Sequence, residues 1–264
     1  MKNKRQNDIA TLLMKEKMLK IKFLVKHFGV SIETIRRDID ALERRGVVKK
    51  VYGGIRPAAD ETLISELAEW NARSEHCRGE KLRITAKALE LIPDGSTIVL
   101  DIGTTMHIMA QQLSAKRDLT ILTCSMRSAN ELCRSNAHRV YMIGGQLHNS
   151  EQITTGTYAR AFLENFASID IFLCSADGVT LDAGTTEYLE PVVELKRQIT
   201  SIVKNTVLLA DHSKFGRKSM FKSLPLSSIN TVVTDDRLGA EYIEGMNEAG
   251  VETIIVSVND ERRS

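Results

Sequence analysis

Apolar residues recur at helical spacing between Ile9 and Leu42 and, after residue 81, as short β-branched runs with helix-like stretches between them. Ile9, Leu12 and Leu13 share one helical face, and Ile21, Leu24, Val25 and Phe28 share another. Each stripe needs a partner helix to cover it. Phe28-Gly29-Val30-Ser31 ends the second helix, because Gly29 suits a left-handed turn and Ser31 suits the N-cap of a third. Within Ser31–Arg45, the positions Ile32, Ile35, Ile39 and Leu42 fall on one face while Glu33, Thr34, Arg37 and Arg44 point the other way. Gly46 stops this helix, and the β-prone Val47–Tyr52 leads to Gly53-Gly54, which predicts a hairpin wing.

From Pro57 to about Gly79 the sequence is mixed and charged, which predicts a connector with some helix. Seven runs rich in β-branched residues follow: Thr97–Asp101, Leu119–Thr123, Val140–Ile143, Asp170–Cys174, Thr206–Asp211, Thr231–Thr234 and Thr253–Val256. Between them Thr105–Leu113, Ser128–Cys133, Val192–Ile202 and Ala240–Ala249 read as helices. Strands alternating with helices predict a mostly parallel sheet covered on both faces. The expected organisation is a domain over residues 1–57, a linker over 58–80 and an α/β domain over 81–264.

Charge sharpens this division. Residues 1–56 hold 15 Lys/Arg against 6 Asp/Glu, a net +9, while the other residues hold 21 against 28, a net −7. The asymmetry points to a polyanion partner for the first segment. Cys77, Cys124, Cys133 and Cys174 share no CxxC spacing, so they read as reduced packing thiols, with no metal site and no cofactor expected. No apolar run suits a membrane span, and a cytoplasmic protein is expected.

A helix capped by Ser31 offers its first turns to the major groove while its Ile/Leu face stays in the domain's own core. Thr34 and Arg37 are therefore the base-reading candidates. Arg36, Lys49 and Lys50 suit phosphate, as does Ser31 beyond its capping role, with Tyr52, Gly53 and Gly54 at the wing tip. The stretch Ser31-Ile-Glu-Thr-Ile-Arg-Arg-Asp-Ile-Asp-Ala-Leu-Glu-Arg-Arg-Gly46, followed by Val51-Tyr52-Gly53-Gly54, resembles the helix-turn-helix signature of the DeoR family of bacterial sugar-metabolism repressors.

In the second segment, Asp94–Asp101 leads through Ile102-Gly103 into Thr104-Thr105 at a helix start, an arrangement that serves either as a structural cap or as an anion site. Three further loops follow strand ends, at Cys124-Ser125, Ser175–Gly178 and Asp211–Gly216, where ligands sit in open parallel sheets. Asp101 and Asp177 suit sugar hydroxyls, and Lys196 or Lys214 suits a phosphate, although each also reads as a surface charge. These loops are similar to the DeoR family too. The resemblance implies a domain like ribose-5-phosphate isomerase that binds a phosphorylated sugar or related metabolite. It carries Asp101, Gly103, Thr104, Thr105, Ser125, Asp177, Gly178, Lys196 and Lys214 over as effector contacts. Two places depart from the family pattern. Cys124 stands where Asn is usual, and Val192-Val193 replace a Glu-Ala pair, with Glu190 as a candidate substitute.

The expected activity is thus that of a DNA-binding repressor of a carbohydrate-catabolism operon, without catalytic residues and working as a homo-oligomer, dimer or tetramer. Two alternatives remain at this stage. One is an isomerase-like enzyme with a DNA-binding appendage, and the other a constitutive DNA-binding protein whose second domain only oligomerises.

Overall fold

The computed structural model describes residues 2–16, 18–58 and 61–257. Residues 59 and 60 of the expected linker, and 258–264 of the expected second domain, lie outside that set. The chain divides into two compact units, residues 1–76 and 77–264.

The first unit contains α1 (Lys2–Lys15), β1 (Leu19–Lys20), α2 (Ile21–Phe28), α3 (Ile32–Arg44), β2 (Val48–Val51), β3 (Gly54–Pro57) and α4 (Glu61–Glu75). Its core joins Ile9 and Leu13 of α1, Leu24 of α2, Ile35, Ile39 and Leu42 of α3 and Val48 and Ile55 of the hairpin. Gly29 takes the left-handed conformation (φ 61°) that ends α2, and the Ser31 side chain accepts from the Thr34 amide to start α3. The wing is a hairpin with a third strand added, in the order β1-β3-β2. Ile32 departs from expectation: it is exposed, because it stands on the first turn of α3, beyond the reach of the core. Asp38 takes a buried place on α3 instead, accepting from Arg5 Nε at 2.5 Å and Gln6 Nε2 at 3.0 Å. The expected linker is largely α4, whose Leu67 packs against the core of this unit.

The second unit opens with α5 (Arg78–Leu89) and continues as β4 (Thr97–Leu100), α6 (Thr104–Gln112), β5 (Thr120–Thr123), α7 (Met126–Leu132) and β6 (Arg139–Met142). A hairpin of β7 (Gln146–His148) and β8 (Ile153–Thr155) leads to α8 (Thr157–Leu163) and β9 (Ile169–Cys174). Next come β10 (Gly178–Thr180), β11 (Gly184–Glu187), α9 (Glu190–Thr200), β12 (Val203–Leu209), β13 (Phe221–Lys222), β14 (Thr231–Asp235), α10 (Ala240–Glu248) and β15 (Glu252–Val256). The seven β-branched runs form one sheet, all parallel, in the order β15-β14-β12-β9-β4-β5-β6.

Alternate residues of each strand feed opposite faces, as the pleat requires. Ile98, Leu100, Ile121 and Leu173 pack with Ile84 and Ala88 of α5 and Met106 and Met109 of α6. Val99, Leu122, Phe172 and Leu208 pack on the other side with Ala159 and Leu163 of α8 and Leu195 and Ile199 of α9. In chain order the sheet grows from β4 outward to β6, then returns to β9 on the other side of β4. The order reverses between β4 and β9, the point at which open parallel sheets hold ligands beyond their strand ends. A small antiparallel sheet, β10-β11-β13, follows β9.

Candidate functional site

On the first unit, the charges singled out from sequence lie at the surface. Arg36 and Arg37 of α3, Lys49 of β2 and Tyr52 and Gly53 of the turn are exposed, and Thr34 is half-buried with its hydroxyl 3.1 Å from that of Ser31. Lys50 is exposed as well but is already engaged, since its Nζ lies 2.6 Å from Asp40 Oδ1 and 2.7 Å from Glu43 Oε2. Hydrogen bonds donated to these two carboxylates hold the Lys50 ammonium above its usual range. Gly54 is buried, for a packing reason: a Cβ there would stand 2.4 Å from Leu19 O on β1.

In the second unit the decisive geometry sits at the strand reversal. Asp101 extends β4 by one residue, and its Oδ2 accepts from the Ser175 amide at the end of β9 at 3.0 Å. The same oxygen lies 2.8 Å from Lys196 Nζ, sent in by α9. Lys196 also donates to Ser175 O at 2.7 Å and to Glu187 of β11. Asp101, Glu187 and Lys196 are 3%, 4% and 1% exposed, so all three charges are held out of water. Burial pushes the Glu187 carboxyl up to about 7, reinforced by Asp101 and opposed by Lys196. For Lys196, burial alone would lower the ammonium, but Asp101 and Glu187 outweigh it and hold it above the ordinary lysine range.

Around this network stand the other predicted residues. Gly103 (φ 98°) caps α6 without a side-chain hydrogen bond, and a Cβ there would meet Ser175 Oγ at 3.3 Å. Thr104 Oγ1 accepts from Lys81 Nζ at 3.1 Å, and Thr105 is buried. Asp177 accepts from the Tyr188 amide at 2.9 Å, and Gly178 is packed where a Cβ would stand 2.3 Å from Arg217 O. Ser125 ends β5 and caps α7 through the Ser128 amide. Lys214 lies half-buried in the turn after β12. The structure thus joins Asp101 and Lys196 directly and places Gly103, Thr104 and Thr105 beside them, whereas Ser125 and Lys214 sit at neighbouring strand ends without touching the network. Cys124 is a core residue: burial drives its thiol up to about 12, so it stays protonated.

Residues 76–236 match the model of the DeoR C terminal sensor domain, and residues 5–60 that of the DeoR-like helix-turn-helix domain. The chain belongs to the DeoR family. The glycerol-3-phosphate regulon repressor of Escherichia coli is 32% identical to it, over 88% of this chain and 90% of the relative. The lactose phosphotransferase system repressor of Staphylococcus aureus is 31% identical, over 89% and 92%. Among solved structures, ribose 5 phosphate isomerase A from Neisseria gonorrhoeae covers 54% of each chain at 18% identity, with a TM-score of 0.38, a likeness too slight to build on. The relatives are named as regulators, and this DeoR-family chain is a DNA-binding transcription regulator rather than an enzyme.

Two residues of this DeoR-family site were not singled out from sequence. Glu187, rather than Glu190, meets Lys196. Glu190 lies six residues before Lys196 on α9, which puts the two on different faces, and it is exposed. Lys81, 2% exposed on α5, escaped notice because the buried face of that helix carries Glu80, Lys81 and Thr85 and so lacks an apolar stripe.

Proposed function

We propose that this DeoR-family chain represses a carbohydrate-catabolism operon in the cytoplasm and leaves its operator when a phosphorylated sugar or related metabolite binds at the β4–β9 reversal. The observation that carries this reading is the buried Asp101–Lys196–Glu187 network. Charges held out of water where a parallel sheet reverses its strand order are costly as a means of stability, and such charges cluster at binding sites. The relatives' names, a glycerol-3-phosphate regulon and a lactose phosphotransferase system, support a phosphorylated ligand.

The start of α6 takes the phosphate, since no side chain caps it, whereas Ser125 already caps α7. Lys214, at the next strand end but one, balances the phosphate charge. Lys196, neutralised by two carboxylates, positions Asp101 instead. Asp101 and Asp177 take sugar hydroxyls, with Ser125 and Gly178 lining the crevice. On the first unit Thr34 and Arg37 read base edges, Ser31, Arg36, Lys49 and Lys50 meet phosphates, and the Tyr52–Gly54 tip tracks the backbone. Paired heads in a homo-oligomer give two half-site contacts. Release requires that the effector bind the two arrangements with different affinity.

The test is a thermal-shift screen of phosphorylated sugars followed by operator binding with and without the hit. Thr105→Val, nearly isosteric at a buried position, is expected to bind operator normally but to stay bound in the presence of the effector. Normal release by that variant removes the α6 assignment.

A further inference from the structure

A second cluster of side chains in the same unit has no part in the reading above. We propose that Cys77, Glu80 and His212, joined by Asp211, bind a divalent transition metal of the zinc class. The ligand atoms of Cys77, Glu80 and His212 all lie within 4.8 Å of one another. Thiolate sulfur, imidazole nitrogen and carboxylate oxygen together are the donor set that zinc takes.

Three features of the surroundings prepare these donors. The His212 ring is held from behind, with Nδ1 2.9 Å from Asp235 Oδ1, while Asp235 Oδ2 accepts from the His212 amide at 2.8 Å. Asp235 is fully buried, so the ring orientation is fixed and Nε2 is the nitrogen left for a cation. A carboxylate behind a ligating histidine is the usual outer partner of such a site. Asp211 is 1% exposed and uses Oδ1 for the amide and hydroxyl of Ser213, yet Oδ2 is buried with no hydrogen-bond partner. A carboxylate oxygen left so is expensive, and a cation beside it removes the expense. Asp211 lies close enough to Cys77 to act on its thiol. Cys77, finally, occupies the N-cap of α5 at φ 51° without making a capping hydrogen bond, and its thiol is directed instead to Ser213 and Asp211.

The charges favour a cation. Glu80 keeps one oxygen on Arg237 Nη1 at 2.9 Å. Cys77 as thiolate, Glu80, Asp211 and the Asp235 carboxylate behind His212, less that guanidinium, leave three negative charges, of which a divalent cation removes two. Binding forms a metal–sulfur bond, and the thiol proton leaves to water, so affinity rises with pH. No spacing motif announces the site, because Cys77 and Glu80 open α5 while His212 follows β12, far along the chain. The cation would fasten the helix that bears Lys81 to the loop that bears Lys214.

The test uses the full chain, reduced and stripped with a chelator, then titrated with Zn²⁺ against a chromogenic competitor and separately with Co²⁺ to read the thiolate-to-metal absorption band. The expected result is one equivalent of metal and a thiolate band that persists in Cys133→Ser and vanishes in Cys77→Ser. Asp235→Asn is expected to weaken binding by about 10- to 100-fold with the band retained. Circular dichroism of each stripped variant separates lost binding from lost fold. Absence of the band in the unsubstituted chain overturns the proposal without recourse to any variant. So does its loss in Cys133→Ser, or an unchanged Zn²⁺ affinity in folded Cys77→Ser or His212→Gln.

Discussion

The two units handle charge in opposite ways. In the first, the cations that matter stand in solvent: Arg36, Arg37 and Lys49 are exposed and make no ion pair among the described residues. In the second, Glu80, Lys81, Asp101, Glu187, Lys196, Asp211 and Asp235 are buried. Exposed charges add little to the fold and remain available to a polyanion. Buried charges hold only where specific partners meet them, so their geometry is over-determined and a ligand inherits it. One unit leaves its cations to a polyanion, whereas in the other Asp101 and Lys196 have met each other in advance.

Substitutions can break this contrast, and the largest effect belongs to the buried side. Lys196→Met leaves Asp101 without its cation and is expected to lower unfolding stability by about 3–5 kcal/mol, read by chemical denaturation. A loss near zero would mean the network is not the dry structure described. Glu187→Gln comes next. The Glu187 carboxyl, raised to about 7 from an ordinary 4.5, makes the folded chain bind more protons than the unfolded one between those values. That contribution is fully present below pH 4.5 and is lost as pH rises through 7, a fall on the order of 3 kcal/mol. Stability measured across this window is expected to fall in the unsubstituted chain and to stay flatter in the glutamine variant.

The exposed side should answer in binding rather than in stability. Arg37→Ala is expected to cost about 1–3 kcal/mol of discrimination between operator and random DNA with the melting temperature unchanged. Equal losses on both DNAs would make Arg37 a backbone contact. The smallest effect sets two adjacent lysines against each other. Lys49→Ala is expected to weaken all DNA alike and lower the salt slope by about one, and Lys50→Ala by less, because Asp40 and Glu43 already hold Lys50. The reverse order would show that DNA displaces both carboxylates.

The same contrast governs what was legible in the sequence. Ser31, Gly29, Arg36 and Arg37 could be placed because a cap, a turn and a solvent face each leave a local signature. The five inner strands of the large sheet were legible because burial on both faces makes them near-continuous apolar runs, and the more exposed edge strands β6 and β15 because each carries a short run of β-branched or other apolar residues. Glu187 was not, since it follows two threonines on a short strand and gains its role from a lysine on the next helix. Nor was α5, whose inward face is half polar. Asp38 escaped for the same reason: a carboxylate on a basic helix reads as solvated until its partners on α1 are known. Charge that works through long-range partners leaves no periodicity to read.

Asp38 has one more bearing, on how the chain can be handled. The opening residues of a domain are commonly trimmed by proteases, or by design, without harm. Here Arg5 and Gln6 are the two partners of a carboxylate buried on α3. A chain clipped beyond Gln6 would keep every residue of α3 and of the wing, yet would strand a charge beneath the face of α3 that bears Arg36 and Arg37. The integrity of Arg5 and Gln6 is thus a condition for a sound α3.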